Sequence, residues 1–133
     1  MRKLYVVLAL LFVCAIAEAA NKYPVTASSA VPAAKGEVTV DQDKNGNMQV
    51  RLEVEHLANP QNLTPAASVY IVWLQDKGER PENKGQIKID KNLKGSFETA
   101  TSAKSFELFV TGEKDSNTKV PAGQEVLRTA VQQ

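Results

Sequence analysis

Ser68-Val69-Tyr70-Ile71-Val72-Trp73-Leu74-Gln75 is the stretch on which the fold turns. It is the longest apolar run beyond residue 20 and carries the single tryptophan of the chain. Five of its eight residues are β-branched or aromatic, side chains that suit a pleated, packed surface. At a period of two, Val69, Ile71 and Trp73 share one side, and Tyr70, Val72 and Leu74 the other. A ribbon apolar on both sides belongs in mid-sheet with both faces at least partly covered. It reads as the central strand of a small all-β domain.

Working outward, strand signals recur on both sides of it. Upstream, Val38 and Val40 alternate with Glu37, Thr39 and Asp41, and Met48, Val50, Leu52, Val54 and His56 alternate with Gln49, Arg51, Glu53 and Glu55. Between them, Asp43-Lys44-Asn45-Gly46-Asn47 has hairpin composition. A two-residue turn on Asn45-Gly46 would set Val40 opposite Arg51, although directly paired residues share a face. A three-residue loop, Lys44-Asn45-Gly46 with Gly46 left-handed, pairs Val40 with Val50 and Val38 with Leu52, and is the expected form. Downstream, strands are expected over Gly85 to Asp90 (Ile87 and Ile89 inward), Gly95 to Thr101 (anchored by Phe97), Lys104 to Thr111 (Phe106, Leu108 and Val110) and Gln124 to Val131. The expected core is Val50, Leu52, Val54, Ile71, Trp73, Ile87, Ile89, Phe97, Phe106, Leu108 and Val110, with Trp73 holding two sheets together. Seven short strands without a helical period predict a single antiparallel β-sandwich of immunoglobulin type over 36–133.

The amino terminus carries a different signal. Met1-Arg2-Lys3 is basic, Leu4 to Ala17 is uncharged and mostly apolar, and Ala17-Glu18-Ala19 is a small-x-small triplet. This pattern predicts a secretory signal peptide over 1–19, cleaved after Ala19. Fourteen residues rising about 1.5 Å each fall short of a hydrocarbon core of about 30 Å, so no transmembrane span is expected. Cleavage removes Arg2, Lys3 and Glu18 and leaves the two charge signs equal in number. With no long block of one sign, a nucleic-acid partner held by bulk charge is excluded. The lone cysteine, Cys14, leaves with the leader, and a disulfide-free exported domain points to the bacterial periplasm or medium. Residues 20–35, rich in Ala, Ser and Pro, read as a flexible leading segment, with a short edge strand over Tyr23 to Thr26 as the alternative.

Candidate chemistry is sparse. Asp41-x-Asp43-x-Asn45-Gly46 resembles the first half of a calcium loop, but the twelfth position is Leu52 instead of a bidentate glutamate and the flanks are strands. Turn chemistry alone accounts for Asp41, Asp43 and Asn45. His56 is the only histidine and reads as a half-buried structural residue, since the exported part has no cysteine to join it on a metal. No serine lies in a nucleophile motif, and the paired carboxylates, such as Glu53 and Glu55, sit on strand exteriors where acid catalysis has no use for them. No enzyme activity and no cofactor are expected.

Tyr70-x-x-Trp73, Asn83-x-Gly85, Phe106 through Val110-Thr111-x-Glu113, and Pro121-x-Gly123 resemble the extracytoplasmic carboxy-terminal domain of bacterial anti-sigma-K factors. The likeness covers the second half of the chain and implies an exported β-sandwich without catalytic residues. Lys114-Asp115-Ser116-Asn117 stands where that family has a glycine-rich stretch, and the resemblance does not extend to regulation of a sigma factor. The expected role is therefore non-catalytic interaction with a protein or other component of the envelope, with small-ligand or calcium binding as the alternative. Counting strands from Gly36, alternate connections fall at one end of an antiparallel fold, which brings together Leu57 to Ala67 and Gly112 to Gly123. Asn59, Gln61, Asn62, Glu113, Lys114, Asp115 and Asn117 on these loops are the candidate binding residues.

Overall fold

The computed structural model describes residues 21–132. The expected leader over 1–19, with its cleavage point and Cys14, lies outside them. The elements are β1 (Asn21–Ala27), β2 (Lys35–Gln42), β3 (Met48–Glu55), a 3-10 turn (Pro60–Asn62), β4 (Val69–Asp76), β5 (Glu82–Ile87), β6 (Gly95–Thr101), β7 (Phe106–Glu113) and β8 (Gln124–Val131). All pairings are antiparallel, in the order β5-β4-β7-β8-β1-β2-β3-β6. The two edge strands, β5 and β6, touch without a hydrogen-bonded ladder, with the Phe97 ring lying over Gly85, so the sheet is nearly closed on itself. The protein is all-β, as its alternation predicts, with eight strands instead of seven. No helix among the described residues is long and apolar enough to cross a membrane.

The eighth strand comes from the stretch expected to be a flexible leader. β1 pairs with β2 from Asn21 to Val25 and with β8 at Thr26 and Ala27, joining two parts of the sheet. Its apolar residues Tyr23, Val25 and Ala27 pack on the core, and Thr129 Oγ1 donates to the Pro24 carbonyl at 3.0 Å. Pro24 itself lies opposite Glu37 inside the pairing, so it does not break the strand.

The β2–β3 hairpin has the predicted register, with Val40 opposite Val50 and Val38 opposite Leu52. Asp43 N–H donates to the Asn47 carbonyl at 2.8 Å, enclosing Lys44-Asn45-Gly46, and Gly46 adopts φ +81°, a left-handed value that favours glycine. β5 begins three residues earlier than expected and ends before Ile89. A register shift opposite Val72/Trp73 leaves Lys84 unpaired, so the alternation breaks where the strand is in fact present.

The closed side of the sheet is filled by one large cluster. Val38, Val50, Leu52, Val54, Tyr70, Val72, Leu74, Ile87, Phe106, Leu108 and Val110 are buried there, with Leu57 and Leu63 plugging one end. Phe97 and Ile89 pack against it half-buried. Ile71 and Trp73 are buried elsewhere, with Phe109, in a second cluster on the outer face of β4 and β7. Trp73 therefore does not hold two sheets together. Its period-two position aims it away from the main core, against Phe109 and Ile71.

Candidate functional site

The two long loops do meet. The β3–β4 connection, residues 56–68, and the β7–β8 connection, residues 114–123, lie at one end of the sheet, joined by Ser68 N–H donating to the Glu113 carbonyl at 2.9 Å. Between them is a cleft of about 460 Å³ whose lining is mostly apolar. Leu63, Pro65, Ala66 and Ala67 form one wall, and Lys114, Asp115, Thr118 and Ala122 belong to the other. Gly112 forms part of the floor because the loop crosses it closely. A Cβ there would lie 2.7 Å from Leu63 Cδ1 and 3.0 Å from Ala67 Cβ.

Hydrogen bonds to the backbone anchor the first wall. Pro60 starts the 3-10 turn, its carbonyl accepts from Leu63 and Ala67 N–H at 3.2 and 2.9 Å, and the Thr64–Pro65 peptide is cis. Tyr70 Oη donates to the Ala58 carbonyl at 2.6 Å, which ties the start of the loop to the core. Burial pushes the Tyr70 hydroxyl up to about 12.

The second wall hangs on a polar chain. Trp73 Nε1–H donates to Thr111 Oγ1 at 2.8 Å, and Thr111 donates to Glu113 Oε2 at 2.5 Å. The Glu113 carboxylate also accepts the N–H groups of Ala122 and Gly123, at 3.0–3.3 Å. A buried carboxylate persists only when its lone pairs are used, and these are. On the far side, Asn83 Nδ2 donates to the Ser116 and Thr118 carbonyls at 3.0 and 2.8 Å. Trp73 stacks against Phe109 with ring centroids 6.3 Å apart, and Arg128 lies over Phe109 at 4.4 Å while bonding Glu107 and Glu125.

The expected binding residues divide accordingly. Lys114 and Asp115 line the cleft and are exposed. Glu113 also lines it, but it is the buried last residue of β7, and its carboxylate is committed to holding the loop; it is not a solvated recognition group. Asn59, Gln61, Asn62 and Asn117 lie on the two loops but outside the cleft. Gln61 spans to the Ser68 carbonyl at 3.4 Å, the Asn59 carbonyl accepts from Asn62 N–H at 2.9 Å, and Asn117 N–H donates to Asp115 at 2.9 Å. Sequence reasoning missed Thr111 and Asn83 as anchors. The one signal was their place in the motifs Asn83-x-Gly85 and Thr111-x-Glu113 that carry the resemblance.

The remaining candidates are placed as follows. Asp43 accepts from Asn45 and Asn47 N–H, each at 2.9 Å, and from Gln49 Nε2 at 3.2 Å, so the carboxylate is consumed by the turn. Slight desolvation pushes the Asp43 carboxyl up, and these donors outweigh it, holding it below the usual 3.8. His56 is exposed, contrary to the half-buried expectation. It turns out of the strand at φ 55°, which sends Leu57 inward instead. A larger hollow, about 550 Å³, follows the seam between β5 and β6 and is walled by charged residues including Glu53, Glu55, Lys88 and Lys94.

No protein-family model and no curated protein matches this sequence.

Proposed function

We propose that this chain is an exported, non-catalytic module that binds another macromolecule of the bacterial envelope at the end formed by the β3–β4 and β7–β8 loops. The observation that carries the reading is the apolar cleft of about 460 Å³ between them, with Lys114 and Asp115 on its rim. Concave apolar surfaces bordered by a few polar groups on a rigid frame are where proteins hold partners. The flattened, two-layer form expected of a sandwich belongs to the same reading, and the passage of β1 from β2 to β8 supports it. Kinship with anti-sigma-K extracytoplasmic domains is part of the proposal too. The residues that carry that resemblance, Trp73, Asn83, Thr111, Glu113 and Gly123, are brought together here by hydrogen bonds as a scaffold for the loop.

A photoreactive residue placed at Asp115 or Ala66, in the native envelope, should crosslink to one discrete species. The same probe at Lys77, on the β4–β5 connection at the other end, should not. Capture from Lys77 alone would overturn the choice of end.

A further inference from the structure

Trp73 poses a problem of cover. It lies on the outer face of β4, yet it is fully buried. Directly opposite it on the neighbouring strands are Phe109, whose ring stacks against the indole, and Asn83. Among the described residues, two loop segments are hydrogen-bonded to that face: the β4–β5 connection, where Gln75 Nε2 donates to the Glu79 carbonyl at 3.0 Å, and 114–123, which is tied to Asn83, directly opposite Trp73, on one flank and to Glu113 on the other.

The segment 114–123 is a poor contributor to any core. None of its residues is buried; Thr118 and Pro121 are half-buried, and Val120 is 67% exposed. Its order comes from short-range bonds, Asn117 N–H to Asp115 at 2.9 Å and Thr118 Oγ1 to the Val120 carbonyl at 2.9 Å, plus the side-chain ties just named. The strands beneath are held by long ladders, broken only by a register shift at Val110/Thr111, and by the main apolar cluster. Segments with few buried apolar contacts and a handful of hydrogen bonds open at lower free energy than the core they sit on.

We propose that residues 114–123 form a lid that opens as a unit between Glu113 and Gln124, with Asn83 and Glu113 as its two latches and Trp73 as the surface it uncovers. The latches act differently. Asn83 grips the middle of the lid through two carbonyls, and Glu113 holds the returning end through two N–H groups. Opening frees both sets of partners to water and exposes the Trp73 side chain, an apolar cost that keeps the closed form dominant. Because Lys114, Asp115, Thr118 and Ala122 belong to the lid, the cleft changes shape when it opens. That consequence rests on the reading of the cleft as a binding site; the opening itself does not.

Native-state hydrogen exchange on the purified chain, read together with acrylamide quenching of the single tryptophan, tests the lid without any partner. The Ala122 and Gly123 amides should exchange at least tenfold faster than the protected amides of β4 and β7. Asn83→Ala should speed both lid amides several-fold further and raise quenching of Trp73, while the protected amides of β4 and β7 keep their rates. Lid amides exchanging at the rate of the β4 and β7 ladder in the unaltered chain would show that the segment opens only with the whole fold, and would overturn the proposal. Unchanged quenching in Asn83→Ala, with lid amides already released, would show that the segment does not cover Trp73, and would overturn it equally.

Discussion

Replacing Trp73 with Ala separates the second cluster from the main core. Deleting a large buried aromatic costs about 3–5 kcal/mol, and the lost bond from Nε1–H to Thr111 adds about 0.5–1.5 kcal/mol. The sum approaches the whole stability of many domains, roughly 5–15 kcal/mol, so the melting temperature should fall by about 20 °C or more. Trp73→Phe keeps a ring on Phe109 and removes the donor, and should cost less than half as much. Urea unfolding followed by circular dichroism measures both. The location of Trp73 makes a sharper claim. In double-mutant cycles, Trp73→Leu with Phe109→Leu should show coupling of about 0.5–1.5 kcal/mol, because the rings are stacked and each change removes one of them. Trp73→Phe with Leu52→Val should be additive within about 0.5 kcal/mol, because Leu52 lies in the other cluster. A loss below about 1 kcal/mol for Trp73→Ala, or coupling to Leu52 but not to Phe109, would refute the two-cluster account.

Other outcomes follow from single groups. The Tyr70 hydroxyl is raised from 10.0 to about 12 on folding, so its share of stability is complete below pH 10 and disappears as pH rises through about 12. Tyr70→Phe should flatten that alkaline limb in pH-dependent melting. The Asp43 carboxyl is held below 3.8, so its stabilisation is present above that pH and is lost as pH falls through the lowered folded value. A carboxylate NMR titration checks the direction, and Asp43→Asn should remove the hairpin's response to acid. With the Asp43 oxygens engaged by backbone and Gln49 donors, millimolar calcium should leave the melting temperature within a degree; a rise of several degrees that Asp43→Ala abolishes would contradict this. Intact-mass analysis of exported protein should give a chain beginning at Ala20, and retention of Met1 would refute the leader.

Local alternation made much of the sheet legible. β8 occupies the predicted Gln124–Val131, and the β2–β3 register follows from the rule that Val40 cannot share a face with Arg51. β1 was legible only as the alternative reading, a short edge strand over Tyr23 to Thr26, for two physical reasons. Its apolar positions are only Tyr23, Val25 and Ala27, and Pro24 reads locally as a breaker although its carbonyl is anchored by Thr129, 105 residues away. The start of β5 was hidden by the unpaired Lys84, since a bulge shifts the period that alternation depends on. The convergence of the loops was readable from antiparallel topology. Which of their residues face the cleft was not, because Glu113 looks like a solvated loop acid until Thr111, Ala122 and Gly123 are seen to enclose it. Trp73 shows the same limit. Its burial was readable, but its side of the sheet was not, because the strand is apolar on both faces and only the separation of Ile71, Trp73 and Phe109 from the main core shows which face it takes.

Ala66→Trp is the most direct measurement of the central claim, that the loop end holds the partner. Ala66 is exposed on the wall of the cleft, so an indole there fills the hollow without entering the core. With the photoreactive probe at Asp115, crosslinking to the discrete envelope species should fall at least tenfold in Ala66→Trp, while Lys77→Trp at the opposite end leaves it unchanged and both variants melt within about 2 °C of the parent. Undiminished crosslinking in Ala66→Trp, with the fold intact, would contradict the account.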